Sequence, residues 1–175
     1  GVLRAYAVRH GPGPFVSEDD KLTQTLPDAY NIHNEWQRDF RVGDFDAVSG
    51  RYALAVTGGV DFLALNCLDR LSSMTELKLV THYCTGTEAP EVLLVGRDEQ
   101  GCFRDILLRR PANQGHQERL TSLLKEAVPV KKRFPASMKG EFTMAIEQEL
   151  GVPIALFGYG ASRDKKEWKQ EIIAI

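Results

Sequence analysis

Two short apolar segments constrain the fold of this chain most strongly. Residues 61–66 and 153–157 are almost entirely apolar, and each segment passes directly into polar, turn-forming residues. Runs of this length and composition are typical of strands that are buried on both faces of a parallel sheet. Ligands of open α/β sheets bind outside the carboxyl ends of such strands. The sequence therefore predicts an α/β fold whose candidate site residues follow these two segments.

The first third of the chain predicts a strand, a long loop and a helix. Residues 2–8 alternate as in a strand, whereas residues 16–37 are polar, rich in turn formers and typical of a surface loop. Apolar residues recur at helical spacing over 44–57, so a helix is predicted there. Asp44 is the predicted N-cap, and Gly58 permits a left-handed end.

The remaining segments predict an antiparallel excursion followed by more helices and strands. Together with the two buried strands they indicate a mixed, mainly parallel sheet with flanking helices. The predicted elements are strands over 76–83, 92–96 and 102–109, helical stripes over 120–128 and 142–150, the second between a Ser137 cap and Gly151, and a polar helix after residue 163.

Composition and charge exclude several classes of protein. The chain has 175 residues, 43% of them hydrophobic and 26% charged, which predicts a single domain over 1–175. Its formal net charge is -2 and its basic residues are scattered, so a nucleic-acid partner is not expected. No apolar run approaches the roughly 18 to 20 residues that a membrane span needs. We expect a soluble, cytoplasmic protein, and the start at Gly1, without a leader, indicates an excised segment.

Cysteine and histidine spacing predicts neither a disulfide nor a metal site. The three cysteines, Cys67, Cys84 and Cys102, are odd in number and widely spaced, so they are predicted to be reduced thiols. The histidines share no metal-binding spacing with a carboxylate. No metal is therefore predicted to bind side chains of this segment.

Several segments, in the same order along the chain, resemble the C-terminal part of the adenylosuccinate synthetase family. The resemblance extends over nearly the whole chain. The matching segments are residues 1–6 and 9–15, similar to GVxKAYxTRVGxGPF; 43–48, similar to GWxDxV; 65–69, similar to LTKLD; and 151–154 with 160–163, similar to GVPI and TGPDR.

This resemblance implies a fold like that of P-loop NTPases and a role in a ligase reaction. Members of the family join L-aspartate to IMP while splitting GTP, with Mg²⁺ as cofactor and as homodimers. Their catalytic groups, phosphate-binding glycine loop and magnesium site come from the N-terminal half, and none of those motifs occurs here. We therefore expect this segment to recognise nucleotide and substrate, but not to catalyse the reaction alone.

Asp69 is the candidate for recognition of the GTP base. A carboxylate can accept hydrogen bonds from both N1–H and the 2-amino group of guanine, whereas adenine presents an acceptor at N1. The resemblance adds Cys67 and the loop Gly158, Tyr159 and Gly160. Cys67 stands where the family has a lysine that covers the base, which leaves GTP against ATP open. The alternative is that Asp69 only caps a turn.

His10, Gly11, Arg38 and Arg41 are the candidates for the purine nucleotide and the amine donor. Gly11 matches a glycine beside the ribose, and His10 replaces a family valine there. The family's carboxylate-binding loop is shorter here, and Phe40 falls where one of its arginines is expected. Two guanidinium groups clamp a dicarboxylate better than one. Either the donor differs or the pocket is rebuilt, unless Arg38 and Arg41 are simply a solvated basic face.

Three other functions remain open at this point. One is a variant ligase with a different purine substrate, such as a guanine nucleotide, or a different amine donor. Another is a non-catalytic nucleotide-binding or scaffold module. The third is an unrelated α/β binding domain whose ordered matches to the family are accidental.

Overall fold

The computed structural model describes residues 1–86, 90–109 and 113–169. Within these ranges strands and helices alternate, and 3-10 turns cover Leu68–Ser73, Pro90–Val92 and Arg163–Lys165. The elements are β1 (Val2–Arg4), β2 (Ala7–His10), α1 (Asp20–Thr25), β3 (Phe40–Gly43), β4 (Phe45–Asp46), α2 (Ala47–Thr57), β5 (Leu63–Asn66), β6 (Glu76–Cys84), β7 (Leu94–Arg97), β8 (Phe103–Ile106), α3 (Gln114–Glu126), β9 (Val128–Pro135), α4 (Lys139–Leu150), β10 (Ile154–Gly158) and β11 (Lys166–Trp168).

The two apolar segments lie side by side in one sheet, as predicted. Its strand order is β1-β5-β10-β11, and β1, β5 and β10 are parallel. Leu65 of β5 is paired with Leu3 on one side and with Phe157 on the other. Apolar side chains of β5 and β10 pack with those of α4 in the larger of two buried clusters. The predicted mixed α/β class is confirmed.

A second sheet is larger than the predicted antiparallel excursion. Its order is β4-β6-β8-β7, with β9 on β6, and only the pair β4 and β6 is parallel. The predicted helical stripe over 120–128 is wrong at its end, because Val128 begins β9. Pro129 cannot lie inside a helix, and β-branched Val128 and Val130 favour a strand.

The predicted first strand is in fact two strands in different sheets. Ala5 and Tyr6, both buried, interrupt it, and β2 then forms an antiparallel ribbon with β3. The predicted loop over 16–37 contains α1, whose N-cap Asp19 accepts a hydrogen bond from the Leu22 amide at 3.1 Å. Because the chain turns inward at Ala5 and Tyr6, β2 cannot continue the hydrogen-bond ladder of β1.

The predicted helix over 44–57 ends correctly but begins later. Gly58 is left-handed, with φ 84°, as expected. The N-cap is Asp46, which accepts a hydrogen bond from the Ser49 amide at 3.1 Å, and not Asp44. Asp44 is instead buried, with Lys131 at 2.8 Å. Burial raises the pKa of Asp44 despite that partner.

The C-terminal predictions are confirmed in part. Gly151 ends α4 in the left-handed region, with φ 66°. The N-cap of α4 is Met138 and not Ser137. The polar helix predicted after residue 163 is wrong for the described part, where β11 pairs antiparallel with β10. Residues 170–175 of that predicted helix lie outside the described residues.

Two of the three cysteines form a disulfide, contrary to the prediction of reduced thiols. Cys84 and Cys102 are bonded across a separation of 18 residues. The antiparallel pairing of Tyr83 with Phe103 places the next residue of β6 opposite the residue before β8. Cysteine spacing alone does not reveal such a register. Cys67 is free.

A buried arginine connects the second sheet to two helices. Arg51 of α2 is 9% exposed and lies 2.5 Å from Asp105 and 3.2 Å from the Glu149 carboxylate. It also donates to the backbone carbonyls of Thr81, at 2.9 Å, and Arg104. These contacts join α2, α4, β6 and β8 behind the parallel sheet.

Candidate functional site

The carboxyl ends of β5 and β10 form the first candidate region. The strands are parallel neighbours, so the segments after Asn66 and Gly158 leave the sheet at the same edge. A Cβ at Gly158 would lie 2.1 Å from the Asn66 side-chain oxygen. A larger residue at Gly158 would therefore require the Asn66 side chain to move.

Asp69 lies on a firmly anchored turn but is itself exposed. It belongs to the 3-10 turn Leu68–Ser73, in which Leu68 and Leu71 are 2% and 1% exposed. Within the described residues the Asp69 carboxylate takes part in no hydrogen bond or ion pair. A capping role for Asp69 thus has no support in the contacts. The carboxylate is available to donors from outside the chain.

Cys67 connects β5 to this turn in an unusual conformation. Its φ of 65° is left-handed, which is uncommon for a residue other than glycine. Its half-buried side chain packs against the core, beside Tyr6. Burial raises the pKa of Tyr6, and Cys67 adds to the effect. Arg70 fastens the other side of the turn by donating to the carbonyl of Pro27 at 2.7 Å.

The loop after β10 closes on itself. The Tyr159 amide donates to the carbonyl of Lys165 at 2.8 Å, and Lys166 donates to the carbonyl of Gly160. Burial raises the pKa of Tyr159, and the neighbouring Glu167 raises it further. The Tyr159 side chain is 38% exposed. The loop therefore exposes part of the Tyr159 ring at the sheet edge where β5 also ends.

The β2–β3 ribbon is the second candidate region. It carries His10 and Arg41, and Gly11 directly follows β2. His10 is paired with Phe40, with 5.0 Å between ring centroids. The Gly11 amide donates to the carbonyl of Asp39 at 3.1 Å. Gly11 has φ 71°, which favours glycine. His10 Nε2 lies 3.1 Å from the Asn31 side-chain oxygen.

Both terminal nitrogens of Arg41 are engaged inside the protein, whereas its buried Nε has no hydrogen-bond partner in the described part of the chain. One terminal nitrogen donates to Glu18 at 2.7 Å, and the other donates to the carbonyls of Gly11 and Gly13 at 2.6 and 3.0 Å. The guanidinium carbon also lies 5.5 Å from the centroid of the Phe15 ring. Arg41 thereby holds the loop after β2 in place.

Arg38 occupies a different environment. It is exposed, has φ 59°, and ends a tight turn in which its amide donates to the carbonyl of Asn34 at 2.8 Å. In the described part of the chain its side chain has neither a hydrogen bond nor an ion pair. The two arginines therefore do not form a matched pair that could clamp a dicarboxylate.

A cavity of about 520 Å³ lies beside the ribbon. Sequence patterns did not single out its acidic residues, because carboxylates scattered over 18–39 give no periodic signal. Asp39 faces His33 at 2.7 Å, and Asp28 lies 3.6 Å from Arg4. The ionisable side chains of the lining are Glu18, Asp20, Asp28, His33, Asp39 and Arg41.

The described ranges contain neither a cluster of metal ligands nor a membrane-spanning helix. No group of three or more His, Cys, Asp or Glu side chains is arranged there to hold a metal ion. No helix among those residues has the length and apolar character needed to cross a membrane.

Comparison with known proteins decides the family. The model of the family described as adenylosuccinate synthetase matches residues 1–166. This chain belongs to the adenylosuccinate synthetase family. The synthetase of Frankia alni is 34% identical over 170 residues, which cover 94% of this chain and 37% of that protein. The synthetase of Pediococcus pentosaceus is 31% identical, with 94% and 36% covered.

The fold agrees with that assignment. The structure of fully ligated adenylosuccinate synthetase from Plasmodium falciparum matches 97% of this chain and 39% of its own, with a TM-score of 0.67 at 20% identity. The chain thus spans little more than a third of the length of the relatives it matches. The resemblance inferred from the four segments is confirmed.

Proposed function

We propose that this chain, as one domain over 1–175, is the C-terminal, recognition portion of a GTP-dependent purine ligase. The complete reaction would join L-aspartate to IMP and yield adenylosuccinate, GDP and phosphate. The observation that carries the proposal is the exposed, unpaired carboxylate of Asp69 at the carboxyl edge of a parallel sheet in a chain of this family.

Guanine would be recognised at that edge. Asp69 accepts from N1–H and the 2-amino group, and the half-buried Tyr159 ring lies on the loop after the neighbouring strand. Cys67 lacks the long stem of a lysine, so the base would rest on less protein surface. A hydrogen bond to a charged group contributes about 1.5 to 3 kcal/mol, enough for at least roughly tenfold preference over adenine.

The purine nucleotide would lie beside the ribbon. The backbone of Gly11 would approach the ribose, and His10 would be held in orientation by Asn31. Arg41 fixes the loop that carries both residues. Arg38 is the exposed cation that would face the incoming donor.

The remaining steps of catalysis would be carried out by other parts of a longer protein. Phosphoryl transfer depends on positioning and charge stabilisation, which in kinases and GTPases come from a phosphate loop and Mg²⁺. The family resemblance implies that the phosphate loop and the magnesium site belong to the N-terminal half. We therefore assign Mg²⁺, the catalytic groups and the homodimer contacts of a cytoplasmic enzyme to the whole protein, and we expect no turnover from this chain alone.

Calorimetric titration with GTP and with ATP tests the guanine role. Asp69→Ala should remove the preference for GTP. Asp61→Ala is the matched control, since Asp61 is an exposed aspartate that precedes the amino end of β5. Equal affinity for GTP and ATP in the unchanged chain, or no GTP binding, would contradict the proposal. A non-catalytic nucleotide-binding module would be favoured if GTP binds but fusion to the N-terminal portion of the Frankia alni relative restores no ligase activity.

A variant ligase with another amine donor is the second candidate. It is supported by the engagement of Arg41 with Glu18, which leaves Arg38 as the exposed member of the two arginines predicted for the donor. A variant purine substrate, such as a guanine nucleotide, has no comparable support in the contacts of the described residues.

A further inference from the structure

Lys166 of β11 brings a cation to the sheet edge where β5 and β10 end. It is paired with Gly158, the last residue of β10, and residues directly opposite each other in an antiparallel pair point to the same face. Its Nζ lies 3.3 Å from the position that a Gly158 Cβ would take, and the Asn66 side-chain oxygen lies 2.1 Å from that position. The Lys166 ammonium and the end of β5 therefore share the space that Gly158 leaves open.

The Lys166 ammonium is only partly used within the protein. It donates to the carbonyl of Gly160, and among the described residues its side chain forms no ion pair. An ammonium group has three donors and no acceptor, so donors remain for a ligand. The side chain is half-buried, which keeps the ammonium close to the sheet edge.

Asp69 and Lys166 reach this edge from the two strands that flank β10. The turn that carries Asp69 contacts β10, and β11 is the other neighbour of that strand. A carboxylate accepts hydrogen bonds from N1–H and the 2-amino group of guanine, whereas O6, beside N1, is an acceptor and needs a donor. The half-buried Cys67 packs against the core and has only a weak S–H donor. Lys166 thus offers the kind of group that Asp69 lacks.

We propose that Lys166 is a specificity-determining residue that donates a hydrogen bond to O6 of guanine, while Asp69 accepts from N1–H and the 2-amino group. The inference rests on the proposed function, because it takes this sheet edge as the site of the GTP base. Adenine carries an amino group at position 6, so the ammonium would meet a donor instead of an acceptor. The two side chains would therefore disfavour adenine independently of each other.

GTP and 6-thioguanosine triphosphate are the matched probes, because they differ only in the atom at position 6. The thio analogue keeps N1–H and the 2-amino group, and its sulfur is a weaker acceptor than oxygen. In calorimetric titrations of the full 175-residue chain we expect GTP to bind roughly fivefold or more tightly than the analogue. Equal affinity for the two nucleotides would overturn the inference. This comparison needs no folded variant.

Lys166→Met then tests whether Lys166 is the cause. It keeps most of the apolar stem and removes the ammonium, so the preference for GTP over the thio analogue should disappear. Loss of a merely structural contact with Gly160 would weaken both nucleotides equally and leave the preference intact. Lys165→Met is the matched control, because Lys165 is the adjacent, exposed lysine, and it should keep the preference. A preference that persists in Lys166→Met, or that is lost in both variants, would overturn the role of Lys166.

Inosine triphosphate, titrated into the same samples, separates this inference from the guanine role of Asp69. It keeps O6 and N1–H and lacks the 2-amino group. A preference for GTP over inosine triphosphate, together with equal affinity for GTP and the thio analogue, overturns only the inference on Lys166. A preference over the thio analogue that depends on Lys166, without a preference over inosine triphosphate, contradicts only the role of Asp69. Absence of GTP binding overturns both.

Discussion

Asp69 and Arg41 are both charged side chains at predicted binding positions, but their surroundings are opposite. Asp69 is exposed, on an anchored turn, and has no hydrogen bond or ion pair in the described ranges. Arg41 is largely enclosed, and its two terminal nitrogens donate to Glu18 and two backbone carbonyls. In the described ranges one charge has no partner within the protein, whereas the other holds the loop after β2 in place.

Because their surroundings differ, Asp69 and Arg41 should respond differently to substitution. Removing an engaged charge leaves its buried partners unsatisfied and costs folding free energy, whereas removing a free charge costs binding only. Substitution of Arg41 should therefore lower the free energy of unfolding, whereas substitution of Asp69 should lower only the affinity for a ligand.

Arg51→Met sets the upper limit for an engaged arginine. Arg51 is more enclosed than Arg41, and its loss would remove a donor from Asp105, from Glu149 and from three backbone carbonyls, of which the two carboxylates keep Arg104 and Lys132 as partners. We expect the free energy of unfolding to fall by about 3 to 5 kcal/mol in urea titrations. Arg163→Met, at an exposed position, is the control and should change it by less than about 0.5 kcal/mol. A small loss of unfolding free energy in Arg51→Met would mean that the hydrogen bonds and ion pairs of Arg51 contribute little to stability.

Arg41→Met should behave like a weaker version of the same change. We expect a loss of about 1.5 to 3 kcal/mol, since Glu18 and two carbonyls lose a charged donor but remain closer to solvent. Asp69→Asn should change the free energy of unfolding by less than about 0.5 kcal/mol. If both substitutions have the same effect on urea unfolding, the distinction between the two regions fails.

The pH dependence of Asp28, in the wall of the cavity beside the ribbon, gives the smallest effect. Burial alone would raise its pKa, but hydrogen bonds from the Asn31 side chain and the Tyr30 amide, together with Arg4, lower it below the usual value. The folded protein then binds this proton less tightly than the unfolded chain. Its stabilisation is complete above the unfolded pKa of about 4 and is lost as the pH falls below it.

Asp28→Asn should therefore flatten the fall in melting temperature below about pH 4. Arg4→Met should shift the profile in the same direction, because it removes the ion partner at 3.6 Å and keeps the carboxylate. A profile that is as steep in Asp28→Asn as in the unchanged chain would show that other carboxylates control this region.

The sequence predicted the sheet edge better than it predicted the ribbon. The apolar segments of β5 and β10 and the glycine ends of α2 and α4 are local signals, and all four were found in the structure. The positions of Asp69 and Tyr159 follow from the strand ends. Family motifs then added the guanine role, which local patterns could not supply.

Features that depend on distant partners were not predictable in this way. The disulfide of Cys84 with Cys102 depends on the register of β6 against β8, and β9 takes its form by pairing along β6. The pair of Glu18 and Arg41 joins residues 23 positions apart through the ribbon. No periodicity marks such contacts, so the family resemblance predicted a donor role for Arg41 without revealing its partner Glu18.

A comparison of GTP with inosine triphosphate tests the central claim most directly, because the two nucleotides differ only by the 2-amino group that Asp69 is proposed to accept. In calorimetric titrations of the unchanged chain we predict that GTP binds roughly tenfold or more tightly than inosine triphosphate, and that this difference disappears in Asp69→Asn. An equal preference for GTP in both proteins would contradict guanine recognition by Asp69.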